Sequence, residues 1–171
     1  MLDIVVDAAK QAGEILMHHY GRVKTEFKVD DKGAASIVTQ ADLDSEAKIV
    51  EILKEHFPGF NIHSEEQVQE DNHSEYTWYI DPLDGTSNFT RNIPLFGVSI
   101  GLVKGTTPVL GVLYFPVLNL LVQAEQGQGA FANGQKLTVS KRELKHSLYY
   151  SGGYHNGHLQ LEPQVAERVG L

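Results

Sequence analysis

Cysteine is absent from the sequence, which excludes disulfide bonds and thiolate metal sites. Long apolar runs are absent too, since no stretch reaches the roughly 18 residues that a membrane-spanning helix requires. The first residues include Asp3 and Asp7 and lack a basic segment, so we expect no signal peptide. These absences predict a protein of the reducing cytoplasm with no membrane partner.

Positive charge is scarce. The chain has 14 lysine and arginine residues against 22 aspartate and glutamate residues, and its formal net charge is −8. Because non-specific nucleic-acid binding requires a basic surface, we expect no nucleic-acid partner. Between residues 55 and 90 lysine and arginine are missing altogether. The acidic residues of this window are Glu55, Glu65, Glu66, Glu70, Asp71, Glu75, Asp81 and Asp84. So many carboxylates repel one another unless water or a cation compensates their charge.

Apolar residues at helical spacing predict a helix over residues 2–20 and a second helix that ends before Pro58. Thr39 and Asp42 resemble a capping box at the beginning of the second helix. With 171 residues, the chain is long enough for one domain with a sizeable core. We expect the core-facing stripe of the second helix to contain Leu43, Ala47, Val50, Leu53 and Phe57.

The spacing of apolar residues changes to a period of two after the second helix. Residues 96–103 alternate bulky side chains with glycine and serine, which predicts a strand with one face flat enough for close sheet–helix packing. Residues 108–116 and 118–126 predict further strands, and Asn133-Gly134 indicates a hairpin. Two helices followed by several strands predict a layered α+β domain with a mainly antiparallel sheet.

Two other segments have weaker signals. The polar stretch 24–36 contains Gly33 and predicts a loop or a loose hairpin. Near the end of the sequence, Pro163 is suited to begin a short helix.

Asp81 and Asp84 stand out within the acidic window, because they directly follow the apolar run Trp78-Tyr79-Ile80. Aspartates three apart across a proline-containing turn can point toward one spot, and Glu65 could complete the set. Such oxygen ligands suit Mg²⁺. The alternative is that Asp84 caps a following helix, and the DxxDGT pattern alone leaves the two interpretations balanced. For Glu70, Asp71 and Glu75 we expect a solvated acidic loop.

A helix that begins after Asp84 would leave backbone N–H groups without partners in its first turn. The residues concerned are Gly85, Thr86 and Ser87. Free N–H groups at the positive end of a helix are suited to bind a phosphate. We therefore expect these residues to contribute to substrate binding.

The stretch 78–89, "WYIDPLDGTSNF", closely resembles the metal-binding signature of the inositol monophosphatase family. Three further segments, 37–46, 57–67 and 129–140, resemble other family motifs and occur in the same order. One departure is Ser64, where the family has a glycine before its Glu-Glu pair. The resemblance implies a layered αβα phosphatase fold and covers the whole chain.

Metal ligands are the first roles that the resemblance implies. Glu65 would bind the first metal ion, Asp81 would bridge two ions, and Asp84 would bind the second. Leu83 would contribute its backbone carbonyl. The cofactor implied is Mg²⁺, with about two or three ions in a complete site and Mn²⁺ as an alternative.

The remaining roles concern the attacking water and the phosphate. By the resemblance, Thr86 and Asp42 would position the water that attacks phosphorus. Glu66 would act behind the metal ligands or at a weaker third metal site. Lys32 would lie near the phosphate, with two earlier lysines of the same stretch as alternatives.

The function implied is that of a lithium-sensitive, Mg²⁺-dependent phosphomonoesterase acting on inositol monophosphate or a related small phosphate ester. Fructose-1,6-bisphosphatase and nucleotide phosphatase activities are alternatives within the same superfamily. The resemblance also leaves a homodimer open. Which ester is the substrate does not follow from these motifs.

A second departure concerns length. Family members carry a further aspartate ligand in a W-D motif of their second half, whereas this chain has its only tryptophan at Trp78 and no aspartate after Asp84. We expect residues 1–150 to form the metal-binding domain and residues 151–171 to begin a connection to an absent C-terminal half. A truncated, non-catalytic metal-binding or oligomerising fragment is therefore the alternative to an enzyme.

Overall fold

The structure is a computed structural model that describes residues 1–22 and 39–141, together with the backbone of four two-residue strands outside these ranges. The chain divides into two compact units, Met1–Leu137 and Thr138–Leu171. Lys32 and the helix predicted at Pro163 lie outside the described residues. So does residue 150, and the predicted division there stays a prediction.

Three helices form in residues 1–22 and 39–141, at positions that the sequence patterns indicate. They are α1 (Leu2–His19), α2 (Gln40–His56) and the short α3 (Thr86–Phe89). The capping box of α2 is present: the Thr39 side chain accepts from the Asp42 backbone N–H, and the Thr39 backbone N–H donates to Asp42 Oδ2 at 2.8 Å. The Thr39 hydroxyl also donates to this oxygen. This reciprocal bonding fixes where α2 begins.

The core-facing stripe of α2 differs from the predicted one. Val50 and Leu53 are buried as expected, but Ala47 is exposed. Three polar residues at the beginning of the helix take the place of apolar ones: Asp42, Ser45 and Glu46 are all buried. A hydrophobic pattern cannot find a face made partly of carboxylates, so the predicted stripe was rotated from the real one.

Eight strands form the main sheet, in the order β10-β9-β8-β7-β6-β5-β3-β4. Their bounds are β3 (Asn61–Ser64), β4 (Gln69–Glu70), β5 (Tyr76–Asp84), β6 (Gly97–Lys104), β7 (Thr107–Phe115), β8 (Leu120–Glu125), β9 (Gly129–Ala132) and β10 (Gln135–Lys136). Two separate antiparallel pairs are β1 (Lys28–Val29) with β2 (Ala35–Ser36), and β11 (Tyr154–His155) with β12 (His158–Leu159). The predicted α+β class with a mainly antiparallel sheet is confirmed.

Helices α1 and α2 pack on one face of the sheet. The bulky side chains of β5 and β6 that point to this face, Trp78, Ile80, Ile100 and Leu102 among them, are buried. The glycine and serine face of β6 is on the other side, so the close sheet–helix packing predicted there is not made by α1 or α2. Tyr79 on that side is 49% exposed.

The described helices include none with the length and apolar character needed to cross a membrane.

Candidate metal and active site

Strands β3 and β5 bring two acidic segments together. They form the one parallel pair among the strands that the structure describes, with Ser64 opposite Ile80. The Glu65 backbone N–H continues this pairing by donating to the Ile80 carbonyl at 3.0 Å. Because parallel strands end at the same edge of a sheet, Glu65 and Asp81 lie side by side although 16 positions separate them.

Asp81 and Asp84 lie in a bulged strand, which corrects the proline-containing turn predicted for them. Strand β5 continues through Pro82 to Asp84, and its register against β6 shifts between the two aspartates. In a regular strand, residues three apart point to opposite faces. The extra residue of a bulge changes this alternation, and it also accommodates a proline inside a central strand.

Asp84 does not cap α3, so that alternative was wrong. The capping residue is Gly85, which has the left-handed φ of 90° and follows the end of β5. A β-carbon there would lie 3.0 Å from the Leu95 carbonyl oxygen. Glycine therefore allows the chain to turn directly from the acidic strand into the helix.

Asp42 lies on α2 and is 1% exposed. Its Oδ2 accepts the two bonds from Thr39, whereas its Oδ1 is buried without a hydrogen-bond partner in the described structure. Burial raises the pKa of the Asp42 carboxyl, the bonds from Thr39 oppose this, and the charge of Glu65 raises it further. One carboxylate oxygen of Asp42 thus caps the beginning of α2, and the other makes no hydrogen bond in the described structure.

Two other carboxyl groups have raised pKa values. Burial raises the pKa of Asp81 to about 7, helped by the charge of Glu65, by a hydrogen bond with that residue and by the charge of Asp84. Burial likewise raises the pKa of Glu66 to about 7, and the charges of Asp42, Glu65 and Glu46 add to this effect. The carboxyl groups are therefore close enough to repel one another.

No ion pair among the described residues compensates this cluster. The ion pairs that exist there join other residues: Lys54 with Glu70, Lys104 with Glu75, Lys48 with Glu51, His19 with Asp44 and His73 with Asp71. Glu70, Asp71 and Glu75 accordingly have surface partners and stay outside the cluster. No three acidic or histidine side chains in the described ranges are already arranged to hold a metal ion.

Thr86, Leu83 and Asp81 are linked by hydrogen bonds. The Thr86 hydroxyl donates to the Leu83 carbonyl at 3.0 Å, and the Leu83 backbone N–H donates to Asp81 Oδ1 at 3.1 Å. Gly85 and Ser87 flank Thr86 at the beginning of α3. The roles expected for these residues, like those of Glu65, Asp84 and Asp42, stay predictions.

Sequence reasoning missed two buried residues of α2 that contact the acidic segments. The Ser45 hydroxyl donates to the Pro82 carbonyl at 2.9 Å. Glu46 Oε1 accepts from the backbone N–H groups of Gln67 and Val68 at 3.0 and 3.1 Å. A signal was present, because residues three and four positions after Asp42 lie on the same side of a helix.

The fold and this carboxylate cluster define a layered α+β protein with an acidic site where β3 and β5 end. The sequence pattern of the inositol monophosphatase family matches residues 1–169. The chain therefore belongs to the inositol monophosphatase family.

Similar proteins agree with this assignment. A protein of Aquifex aeolicus named fructose-1,6-bisphosphatase/inositol-1-monophosphatase is 40% identical over 147 residues, which cover 85% of this chain and 55% of the relative. The Nus factor SuhB of Haemophilus influenzae is 41% identical over 155 residues, covering 89% of this chain and 57% of the relative. The chain thus spans about half the length of the curated relatives it matches.

Solved structures are similar over the same portion. The extragenic suppressor protein suhB of Bartonella henselae superimposes with a TM-score of 0.75 at 40% identity, covering 82% of this chain and 54% of the other. The Thermotoga maritima IMPase gives the same TM-score and coverage at 36% identity. The shared fold extends over most of this chain and half of each neighbour.

Proposed function

We propose that this chain supplies the metal-binding part of a Mg²⁺-dependent phosphomonoesterase that hydrolyses inositol monophosphate or a related small phosphate ester. The observation that carries the proposal is the meeting of acidic side chains from three elements. They come from α2, from the segment after β3 and from the end of β5: Asp42, Glu65, Glu66, Asp81 and Asp84.

The donor set fits a hard divalent cation. Its members are carboxylates, whose oxygens are the ligands that Mg²⁺ prefers. Asp42 Oδ1 is a buried oxygen without a hydrogen-bond partner in the described structure, and burial together with the charges of Glu65 and Asp84 raises the pKa of Asp81. No lysine or arginine among the described residues pairs with this cluster. A divalent cation supplies the compensating charge, together with Lewis-acid activation of water and stabilisation of phosphoryl oxygens.

Glu65, Asp81 and Asp84 would hold the cation, with the Leu83 carbonyl as a further ligand. Asp81 is the central member, because it interacts with both other carboxylates. The Leu83 N–H orients one Asp81 oxygen, which leaves the other to bind. Binding requires Asp81 to lose its proton, so metal affinity should depend on pH.

Thr86 and Asp42 would prepare the water for attack on phosphorus. A threonine hydroxyl is a weak base, so its contribution is to orient the water or relay a proton, while Asp42 accepts a hydrogen bond. The bond from Thr86 to the Leu83 carbonyl already fixes the hydroxyl beside the strand end. The N–H groups of Gly85, Thr86 and Ser87 would receive the phosphate.

The names of the relatives favour inositol monophosphate and fructose 1,6-bisphosphate as the first esters to assay. Some relatives are named inositol monophosphatase alone, and others combine that name with fructose-1,6-bisphosphatase. A homodimer and a lithium-sensitive activity remain part of the proposal. The alternative of a non-catalytic metal-binding fragment is favoured by one fact, the coverage of about half of each relative.

Isothermal titration calorimetry with Mg²⁺ and Mn²⁺ tests the site directly. We expect the chain to bind both Mg²⁺ and Mn²⁺ and Asp81→Asn to lose this binding. The substitution removes the carboxylate that would bridge the two metal positions and that interacts with both Glu65 and Asp84. Asp71→Asn is the matched control, since Asp71 is an exposed aspartate outside the cluster. Absence of binding in the wild-type chain, or equal loss in both variants, would contradict the proposal.

A further inference from the structure

Glu46 is a buried carboxylate on the side of α2 that faces the acidic segments. It is 3% exposed, and its Oε1 accepts hydrogen bonds from two consecutive backbone N–H groups, those of Gln67 and Val68. Burying a carboxylate is costly unless hydrogen bonds satisfy it, and two amide donors provide that compensation. The position therefore serves hydrogen bonding, because an apolar side chain would fill the space at lower cost.

The two amides belong to the segment that carries Glu65 and Glu66. This segment is also held at its sides: the Glu65 N–H donates to the Ile80 carbonyl, and the Ser64 N–H donates to the Val68 carbonyl at 2.9 Å. Glu46 adds the contact to α2. The backbone on both sides of the Glu65-Glu66 pair is thus tied to elements that the core holds in place.

Ser45, the neighbouring residue on α2, makes a hydrogen bond to the backbone of the other acidic segment. The Ser45 hydroxyl is buried and donates to the carbonyl of Pro82, between Asp81 and Asp84. Consecutive residues of one helix therefore contact both segments, while Asp42 one turn earlier enters the cluster itself. A rigid helix that touches both segments sets the distance between them.

We propose that Glu46 is a positioning residue that holds the Glu65-Glu66 segment against α2, so that the Glu65 carboxylate faces Asp81. Its use in metal binding rests on the proposed function, whereas the placement of the segment does not. Groups that orient metal ligands from behind commonly change metal affinity by about 10–100-fold when they are replaced.

Two substitutions separate hydrogen bonding from packing. Glu46→Gln keeps a side-chain oxygen that can accept both amides, and Glu46→Met keeps the approximate volume but offers no comparable acceptor. Ile49→Ala is the matched control, because Ile49 is a fully buried apolar residue of the same helix, and its truncation creates a cavity without removing a hydrogen bond to the acidic segments. Its loss of stability shows what destabilisation alone does.

The first measurement is amide hydrogen exchange of the metal-free protein by NMR. We expect the Gln67 and Val68 amides to be protected in the wild type, in Glu46→Gln and in Ile49→Ala, and to lose protection in Glu46→Met. Continued protection in Glu46→Met would overturn the proposal. Should that variant fail to fold, the wild type decides, since amides that exchange there as freely as in an unfolded chain would overturn it too.

The second measurement is Mn²⁺ affinity by calorimetry. We expect Glu46→Met to bind at least about tenfold more weakly than the wild type, and Glu46→Gln and Ile49→Ala to stay close to it. Unchanged affinity in Glu46→Met would overturn the positioning role. A wild-type chain that binds neither Mn²⁺ nor Mg²⁺ would instead refute the proposed function, and selective loss of amide protection in Glu46→Met would still support the placement by Glu46.

Discussion

Asp42 shows at the scale of one residue how a stabilising and a functional role share a side chain. Its Oδ2 caps α2 through Thr39, and its Oδ1 remains without a partner inside a cluster of like charges. The cap stabilises the helix, whereas the charge opposes folding until a cation compensates it. A substitution that removes only the charge of Asp42 and one that also removes its hydrogen bonds to Thr39 should therefore differ in their effect on stability.

We expect Asp42→Asn to leave the metal-free chain as stable as the wild type or slightly more stable. The amide oxygen can still accept from Thr39, and the buried charge is gone. Asp42→Ala removes the cap as well and should cost about 1–2 kcal/mol. Urea unfolding of the three proteins measures this difference. An Asp42→Asn variant as unstable as Asp42→Ala would show that the charge itself stabilises the helix.

The raised pKa of Asp81 predicts how stability changes with pH. The pKa is about 7 in the folded protein and near the ordinary value of about 4 in the unfolded chain. The folded state binds the proton of Asp81 more tightly than the unfolded chain does, so protonation of Asp81 stabilises the fold. This contribution to stability is fully present below about pH 4 and is lost as pH rises to about 7. We expect the free energy of unfolding of the metal-free chain to fall over this interval.

Urea unfolding at about pH 5 and about pH 8 checks this, with Asp81→Asn as the control whose pH dependence should be weaker. Mg²⁺ affinity should change in the opposite direction and rise over the same interval, because the ligands must lose protons to bind. Stability that rises with pH in the metal-free protein would contradict the assignment.

At the scale of elements, the end of β5 combines a bulge, a proline and a left-handed glycine within four residues after Asp81. These features let one strand present Asp81 and Asp84 and then enter α3 at once. Gly85 meets two demands together: its φ is 90°, and the Leu95 carbonyl approaches the space that a side chain would need.

We expect Gly85→Ala to destabilise the protein by about 3 kcal/mol, combining backbone strain with a steric clash. Gly105→Ala is the matched control. Its φ is also positive, at 57°, but no atom lies within 4 Å of the added carbon. The control should cost only about 1 kcal/mol. Equal losses in chemical denaturation would mean that the Leu95 backbone moves aside and that only φ matters.

At the scale of the whole molecule, the chain spans about half the length of the relatives it matches. The face of the sheet opposite α1 and α2 carries small residues in one cross-strand row, Gly101, Gly111 and Ala124, beside the exposed Tyr79 and Leu113. The metal ligands proposed here all belong to the described part. The family resemblance assigns one further aspartate to a W-D motif, which this sequence does not contain.

We therefore expect the purified 171-residue chain to bind Mg²⁺ but to hydrolyse inositol monophosphate poorly or not at all. An assay at saturating Mg²⁺, with Asp84→Asn as the control for contaminating phosphatases, measures this. Robust turnover that disappears in Asp84→Asn would show that the chain holds a complete catalytic site. Turnover that survives the substitution would come from another protein.

Local sequence determined the features that depend on neighbours along the chain. The capping box of Thr39 and Asp42 and the hairpin at Asn133-Gly134 follow from contacts within a few residues, and both form as predicted. The acidic stretch 81–84 was found in the same way. The sequence also indicated the α+β class, because the change from helical to alternating spacing reflects which side chains face the core.

Tertiary structure decided which distant groups meet. The parallel pairing of β3 with β5 places Glu65 beside Asp81, and the fold of α2 against both segments places Ser45 and Glu46 at their backbones. The pairing of β3 with β5 leaves no local signal, because it joins residues that are far apart in sequence. The helical spacing after Asp42 places Ser45 and Glu46 on the same side of α2 but does not indicate what they contact. Pairing of this kind is chosen by how the whole core packs, so a local pattern can propose the ligands of the site but not the scaffold that holds them.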